Sequence, residues 1–282
     1  MGASRENMTS RYYDHLTDWY RLFYSPTAMH YGYWTPGTRT LGRALRNHKA
    51  LVHRALALEE GSHLLDAGCG HGSTAAYLAA QAGCRVTGIT LSRRQVEIAT
   101  RRARRLGLEG RLGFRAGDYC ATGLPEHSFT HVCAVESVCH ARRPELFLAE
   151  AARLLCPGGR LVVVDFFREQ PEETFSAEQR RLYDQVRRGF VLPGFACRHD
   201  FLSMAASRGL VLSEDQDLSR AVAPTARAIR RRARLALPFA LLLHVLRLVP
   251  EELPAHLRSC LVQPRALEVL GTYRLLVFDR AQ

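Results

Sequence analysis

The segment Leu64-Leu-Asp-Ala-Gly-Cys-Gly-His-Gly72 constrains this chain more than any other. Two leucines lead into Asp66, glycines follow at 68, 70 and 72, and a helix-compatible run opens at Ser73. The order is strand, tight turn, helix. Glycine in such a turn admits positive φ and lets a ligand lie against bare backbone. The unpaired amides that open the helix add a polar edge. Such a unit needs neighbouring strands, and the sequence supplies them. Apolar runs predict strands at 62–67, 84–90, 112–118, 129–136 and 160–167, with helices at 73–82, 92–106 and 143–155 between them. Ser92 serves as an N-cap and Cys156-Pro-Gly-Gly159 as a helix stop. Near-continuous apolar strands between helices imply an α/β fold with a mostly parallel sheet covered on both faces. Ligands of such sheets gather at the carboxyl ends of the strands, an edge that here carries Asp66, Thr90, Asp118, Glu136 and Asp165.

Two segments flank this core, so the chain reads as one integrated domain of three regions, residues 1–60, 61–168 and 169–282. The first is rich in aromatics, from Tyr12-Tyr-Asp-His-Leu-Thr-Asp-Trp-Tyr20 through Phe23, Tyr24, His30, Tyr31, Tyr33 and Trp34. These either pack on the core or roof a site for a cationic or apolar ligand. Residues 40–59 read as an amphipathic helix. After 168 the pattern predicts helices over 170–190 and 200–207 and strands over 210–218 and 273–278. Between those strands a basic stretch, Arg227–Arg234, runs into an apolar one, 235–249, too short to span a bilayer. A buried lid helix is expected there, with a helix lying on a membrane surface as the alternative.

The formal charge of +12 raises partners that carry phosphate. Yet Lys49 is the single lysine, and arginine in an Ala- and Arg-rich chain reads more simply as compositional bias. The eight cysteines form no C-x-x-C pair, so buried small hydrophobes are expected rather than a metal site. Met1-Gly-Ala-Ser-Arg-Glu lacks both the apolar core of a signal peptide and an acylation pattern, so a cytoplasmic protein is expected.

The turn is neither a dinucleotide fingerprint nor a P-loop. It lacks G-x-G-x-x-G, the second strand ends Gly88-Ile-Thr-Leu-Ser92 without a carboxylate, and no Gly-Lys-Ser/Thr is present. It resembles instead motif I, D-x-G-x-G-x-G, of the class I S-adenosylmethionine (SAM) methyltransferases. Leu154-Leu-Cys-Pro-Gly-Gly-Arg-Leu161 is similar to the L-x-P-G-G-x-L segment before their fifth strand. The resemblance implies their Rossmann-like fold: a seven-stranded, mostly parallel sheet with helices on both faces, an N-terminal helical segment and a helical lid. It implies SAM as cofactor, held by Asp66, Gly68, Cys69, Gly70, Gly72, Leu91, Asp118 and Tyr119, with Tyr31 and Glu136 also at the cofactor.

Gly88-Ile-Thr-Leu-Ser-x-x-Gln95 resembles a segment shared by sterol C-methyltransferases, tocopherol methyltransferases and cyclopropane fatty acid synthases. In that branch Thr90 and Gln95 take over the ribose contacts. Tyr12 to Tyr20, Val135-Glu-Ser-Val-Cys-His-Ala141 and Asp184 to Leu210 are similar to further segments of it. The E-Y-G-W-G continuation of the sterol enzymes is replaced by Arg21-Leu-Phe-Tyr-Ser-Pro, which argues against a sterol. The resemblance implies methyl transfer to a carbon, an alkene of a small isoprenoid, through a carbocation that then loses a proton. Glu136, His140 and Tyr20 are the expected catalytic residues, and Tyr12, Tyr20, Trp34, Phe166 and Phe167 the expected substrate contacts. Glu136 as a ligand of the SAM ammonium and His140 as a structural histidine remain open, while His71 and His131 read as structural. A phenolic carbon, an N or O atom of an aromatic molecule, or a fatty acyl chain are alternative acceptors. A nucleic-acid substrate is disfavoured, since Glu136-Ser-Val-Cys replaces the Asn/Asp-Pro-Pro-aromatic segment that grips a flipped base. A homo-oligomer is also open.

Overall fold

The structure is a computed structural model that describes residues 3–25 and 28–282, with side chains from residue 8 onward. Met1 and Gly2, with which the leader and acylation readings begin, lie outside the described residues. Seven strands among the described residues form one sheet: β1 (His63–Ala67), β2 (Arg85–Thr90), β3 (Leu112–Ala116), β4 (Phe129–Val135), β5 (Leu155–Arg168), β6 (Leu210–Asp217) and β7 (Gly271–Arg280). Their order is β3-β2-β1-β4-β5-β7-β6. The first five are parallel, and β7 runs antiparallel to both β5 and β6. The helices are α1 (Ala3–Phe23), α2 (Leu41–Leu56), α3 (Ser73–Ala82), α4 (Arg93–Arg105), α5 (Pro144–Leu154), α6 (Ala177–Phe190), α7 (Arg198–Ala206), α8 (Ser219–Val245) and α9 (Glu252–Val269).

Successive residues of a strand face opposite sides of a sheet. Leu64, Val162 and Leu275 therefore pack on one face with Leu56 of α2 and Leu78 of α3. Leu65, Val163 and Leu276 pack on the other with Phe147 of α5 and Phe201 of α7. Both faces are covered, so the central strands are apolar throughout. The strand order reverses between β1 and β4, which places the β1–α3 turn and the β4 terminus side by side.

Some boundaries differ from those expected. Cys156-Pro-Gly-Gly159 belongs to β5, which starts at Leu155 opposite Phe129; the register then shifts to pair Arg160 with His131, with Gly158 at φ +72°. The chain leaves the helix through a bulge in the strand. Helix α6 opens at Ala177, not 170, because Ser176 and Gln179 form a reciprocal capping box. Helix α9 has no counterpart in the sequence reading.

Helix α1 lies across the sheet edge and is tied to α4. Ser10 Oγ donates to the Leu91 carbonyl at 3.0 Å, and the N-cap Ser92 donates to Asp14. Arg94 adds an ion pair to Asp18 at 3.1 Å. Helices α8 and α9 close the opposite side against α6. The lid expected to be buried is only half so. Ala233 and Ala240 face inward at helical spacing, whereas Leu235, Phe239, Leu242 and Val245 are 59–78% exposed. Small residues on the inner face let α8 sit close, which turns its large apolar side chains outward. No helix among the described residues is long and apolar enough to cross a membrane. All eight cysteines are free thiols, six of them buried, and no cluster of His, Cys, Asp and Glu suited to a metal ion occurs among the described residues.

Candidate active site

Two cavities adjoin at the carboxyl edge of the sheet. The first is built on the β1–α3 turn and is lined by Asp66, Gly68, Cys69, Gly70, Thr90, Leu91, Gln95, Tyr119 and Glu136. Gly68 stands at φ +88°, and a Cβ there would come within 2.3 Å of the Ser137 Cβ. Only a bare backbone lets the turn close onto the β4 terminus, where Ser137 Oγ donates to the Ala67 carbonyl at 2.6 Å. Gly72 has a packing role. It lines neither cavity, and a Cβ there would meet Ala99 and Phe114 at 2.8 Å.

Asp66 is buried, with Oδ1 accepting from Cys133 Sγ at 3.7 Å and Oδ2 left without a partner. Burial pushes its carboxyl up to about 7. Thr90 donates to Gln95 Oε1 at 2.6 Å, so the two form a single polar wall. Tyr119 is fixed by donating to the Ser137 carbonyl. Asp118 sits just outside, holding the Cys120 amide at 2.8 Å, and borders a neighbouring depression with Tyr119. His71, read from sequence as structural, lines this cavity with both ring nitrogens buried and unpartnered. Burial lowers its imidazole to about 3, so it stays neutral. An orphaned carboxylate oxygen beside bare turn amides suits a ligand that brings an ammonium and hydroxyl donors. The amino-acid and ribose parts of SAM have that chemistry, and these residues fit it.

The second cavity, about 180 Å³, is walled mainly by aromatics: Tyr13, Trp19, Tyr20 and Tyr24 from the N-terminal segment, then Tyr31, Phe166, Phe190 and Phe195. Tyr13, Met29, His30, Glu136 and His140 line both cavities. Glu136 has φ +48°, a left-handed conformation that is strained for a side chain of this kind. Its amide donates to the Val164 carbonyl at 2.8 Å, which holds the strain in place. The carboxylate Oε1 accepts from the Tyr31 amide at 2.6 Å and the Tyr273 hydroxyl at 2.7 Å. Desolvation still outweighs these bonds and raises its carboxyl to about 8. His140 shares a 2.6 Å bond between Nε2 and the Tyr13 hydroxyl, while Nδ1 is buried without a partner. Burial lowers its imidazole to about 4, so it is neutral in the free protein. Asp165, deeper in the wall, accepts from the Cys139 and Phe166 amides.

Several expected contacts lie elsewhere. Tyr12 is 1% exposed and bonds Tyr20 and His256 behind the wall; its neighbour Tyr13 takes the cavity position. Trp34 donates to Thr225 Oγ1 at 2.8 Å and anchors α8. Phe167 packs on Phe201 across the sheet from the cavity, since strand alternation sends Phe166 and Phe167 to opposite faces. Tyr31 lines the aromatic cavity and not the cofactor one. Sequence reasoning missed Met29, His256 and Gln263, which belong to no motif, and did not single out Tyr13 and His30 from the aromatic N-terminal segment.

A family model described as a methyltransferase domain matches residues 65–163. The chain is 32% identical over 197 residues to the 27-O-demethylrifamycin SV methyltransferase of Amycolatopsis mediterranei, a match covering 70% of this chain and 71% of that protein. The chain belongs to the SAM-dependent methyltransferase family. It is also 29% identical over 208 residues to the 24-methylenesterol C-methyltransferase 2 of Oryza sativa subsp. japonica, covering 74% of this methyltransferase and 57% of the other. Among solved structures, the cyclopropane synthase MmaA2 of Mycobacterium tuberculosis superposes with a TM-score of 0.84 at 18% identity, over 98% of each chain. That likeness concerns the fold. The matches with the first curated relatives span only 51–57% of those proteins' lengths.

Proposed function

We propose that this protein transfers the SAM methyl group to an alkene carbon of a small apolar isoprenoid. The observation that carries this reading is the junction of the two cavities: Glu136 and His140 line both, and beyond them the wall is aromatic. When bound, SAM supplies an electrophilic methyl group, and its acceptance by an alkene leaves positive charge on the acceptor's carbon skeleton. The faces of Tyr13, Tyr20, Tyr31 and Phe166 stabilise such a charge through their quadrupoles. Glu136 places a carboxylate beside it in a site of low polarity. His140 Nδ1 takes the proton that restores the double bond. Its low basicity is no obstacle, because a carbocation gives up a proton to bases far weaker than imidazole.

The likeness to the sterol C-methyltransferase supports this reading. A second reading, methylation of a hydroxyl, draws on the rifamycin methyltransferase and on the Tyr13–His140 pair as a proton acceptor. Mass spectrometry of products from a panel of prenyl compounds with SAM separates the two. The expected product gains one methylene unit on the carbon skeleton. Methylation of oxygen alone would refute the alkene reading.

The outer face of α8 supports peripheral contact with an anionic bilayer. Exposed Arg227, Arg230, Arg231 and Arg234 precede exposed Leu235, Phe239, Leu242 and Val245. The protein is expected to float with vesicles containing phosphatidylserine and to lose that behaviour in Phe239→Glu. Equal recovery with neutral vesicles would remove the electrostatic part.

A further inference from the structure

Helix α9 supplies the wall of the aromatic cavity beside α6 and α8, and its inward row is unexpectedly polar. His256, Cys260, Gln263 and Leu267 follow at spacings of four, three and four, one face of a helix. The upper part of this row is already satisfied. His256 Nδ1 bonds the Tyr12 hydroxyl at 2.9 Å, Tyr12 bonds Tyr20 at 3.0 Å, and His256 Nε2 meets Cys260 Sγ at 3.5 Å.

Gln263 differs. Its Oε1 is buried and has no partner, although the residue lines the cavity. Buried side-chain oxygens are nearly always hydrogen-bonded, and leaving one unpaired is unfavourable. Among the described residues, two other side chains of this cavity leave a ring nitrogen unpaired, His30 and His140. Both of those also border the cofactor cavity. Gln263 is therefore the orphan that the transfer chemistry does not use, and around it Ala266, Leu267 and Leu270 of the same wall offer no hydrogen-bonding side chain.

We propose that Gln263 is a specificity residue whose Oε1 receives a hydrogen bond from a hydroxyl group on the acceptor, so that the natural acceptor is an isoprenoid alcohol and not a hydrocarbon. The inference rests on the reading that the aromatic cavity holds the acceptor. It assigns the ends of that molecule: the alkene lies toward Glu136 and His140, and the hydroxyl toward α9. A hydrocarbon of the same shape leaves the amide oxygen dry and unpaired, and a methyl ether brings no donor.

Binding tests this without methyl transfer. Trp19 lines the cavity, so its fluorescence reports occupancy. Geraniol, farnesol and geranylgeraniol are titrated beside the matching hydrocarbons and methyl ethers. The wild-type protein is expected to bind the best alcohol about tenfold more tightly than its hydrocarbon or ether, the scale of one neutral buried hydrogen bond. Gln263→Met, close in volume, brings the alcohol down to the affinity of the hydrocarbon and leaves the hydrocarbon unchanged or tighter. Gln263→Leu gives the same pattern, and thermal unfolding of both variants confirms that they fold. Equal affinity for alcohol and hydrocarbon, an ether as good as the alcohol, or a preference that survives both substitutions overturns the proposal. Failure of every compound to bind instead refutes the placement of the acceptor in this cavity, and the proposal falls with it.

Discussion

Glu136→Gln is expected to lower turnover by about a hundredfold to a thousandfold, the usual effect of deleting one preorganised electrostatic group, while S-adenosylhomocysteine binds within about threefold of wild type. The substitution is unusually clean. Both hydrogen bonds to Glu136, from the Tyr31 amide and the Tyr273 hydroxyl, fall on Oε1. A glutamine oxygen at that place accepts both, so the wall keeps its shape and only the capacity for negative charge is lost. The strained backbone at φ +48° is kept as well. A structural residue treated this way would leave kcat intact. Single-turnover kinetics with saturating SAM decides the matter, and an undiminished rate would show that the charge plays no part.

The second large effect concerns pH. Asp66 and Glu136 are held at about 7 and about 8 because burial disfavours their charged forms. A cationic ligand selects the ionised carboxylates, so below these values binding must expel protons. SAM affinity is therefore expected to weaken as pH falls, by about tenfold between pH 8 and pH 6 through Asp66 alone and further if Glu136 ionises too. Calorimetry in two buffers of different ionisation enthalpy counts the protons released. An affinity independent of pH, with none released, would mean that both stay protonated beside the ligand.

The free protein follows from the same values. Unfolded carboxyls ionise near pH 4, whereas the folded ones keep their protons to higher pH, so stability is lost as pH rises toward and through 7. The buried histidines His30, His140 and His256, each lowered to about 4, act oppositely, and their contribution is gained as pH rises from about 4 through their unfolded value near 6.5. Around neutrality unfolded histidines are still partly protonated, so the two contributions oppose each other there.

The sheet and the cofactor turn were legible because the signal is local. Strands buried on both faces are apolar throughout, and the turn needs glycine where the backbone approaches the β4 terminus. Helix α3 falls on the residues expected for it, Ser73–Ala82. The acceptor cavity was legible only in its composition. The density of aromatics before residue 35 is plain, but the rotation of α1 is not, because Tyr12, Tyr13, Trp19 and Tyr20 put large rings on more than one side. Packing against α9 and α4 turns Tyr13 inward and buries Tyr12. Phe166 and Phe167 pose the same problem in a strand, where both faces accept a phenyl ring. Helix α9 carries no motif and includes Pro264, so its polar inner row emerges only once α6 and α8 set its orientation.

Helix α1 has one further consequence. Tyr13 borders both cavities, Thr9 the cofactor cavity, and Leu16, Trp19 and Tyr20 the other. One helix is thus a wall common to both cavities, tied to α4 through Ser10, Asp14 and Asp18. A ligand in either cavity that favours this seating of α1 would favour the ligand in the other by the same factor, since such coupling is reciprocal.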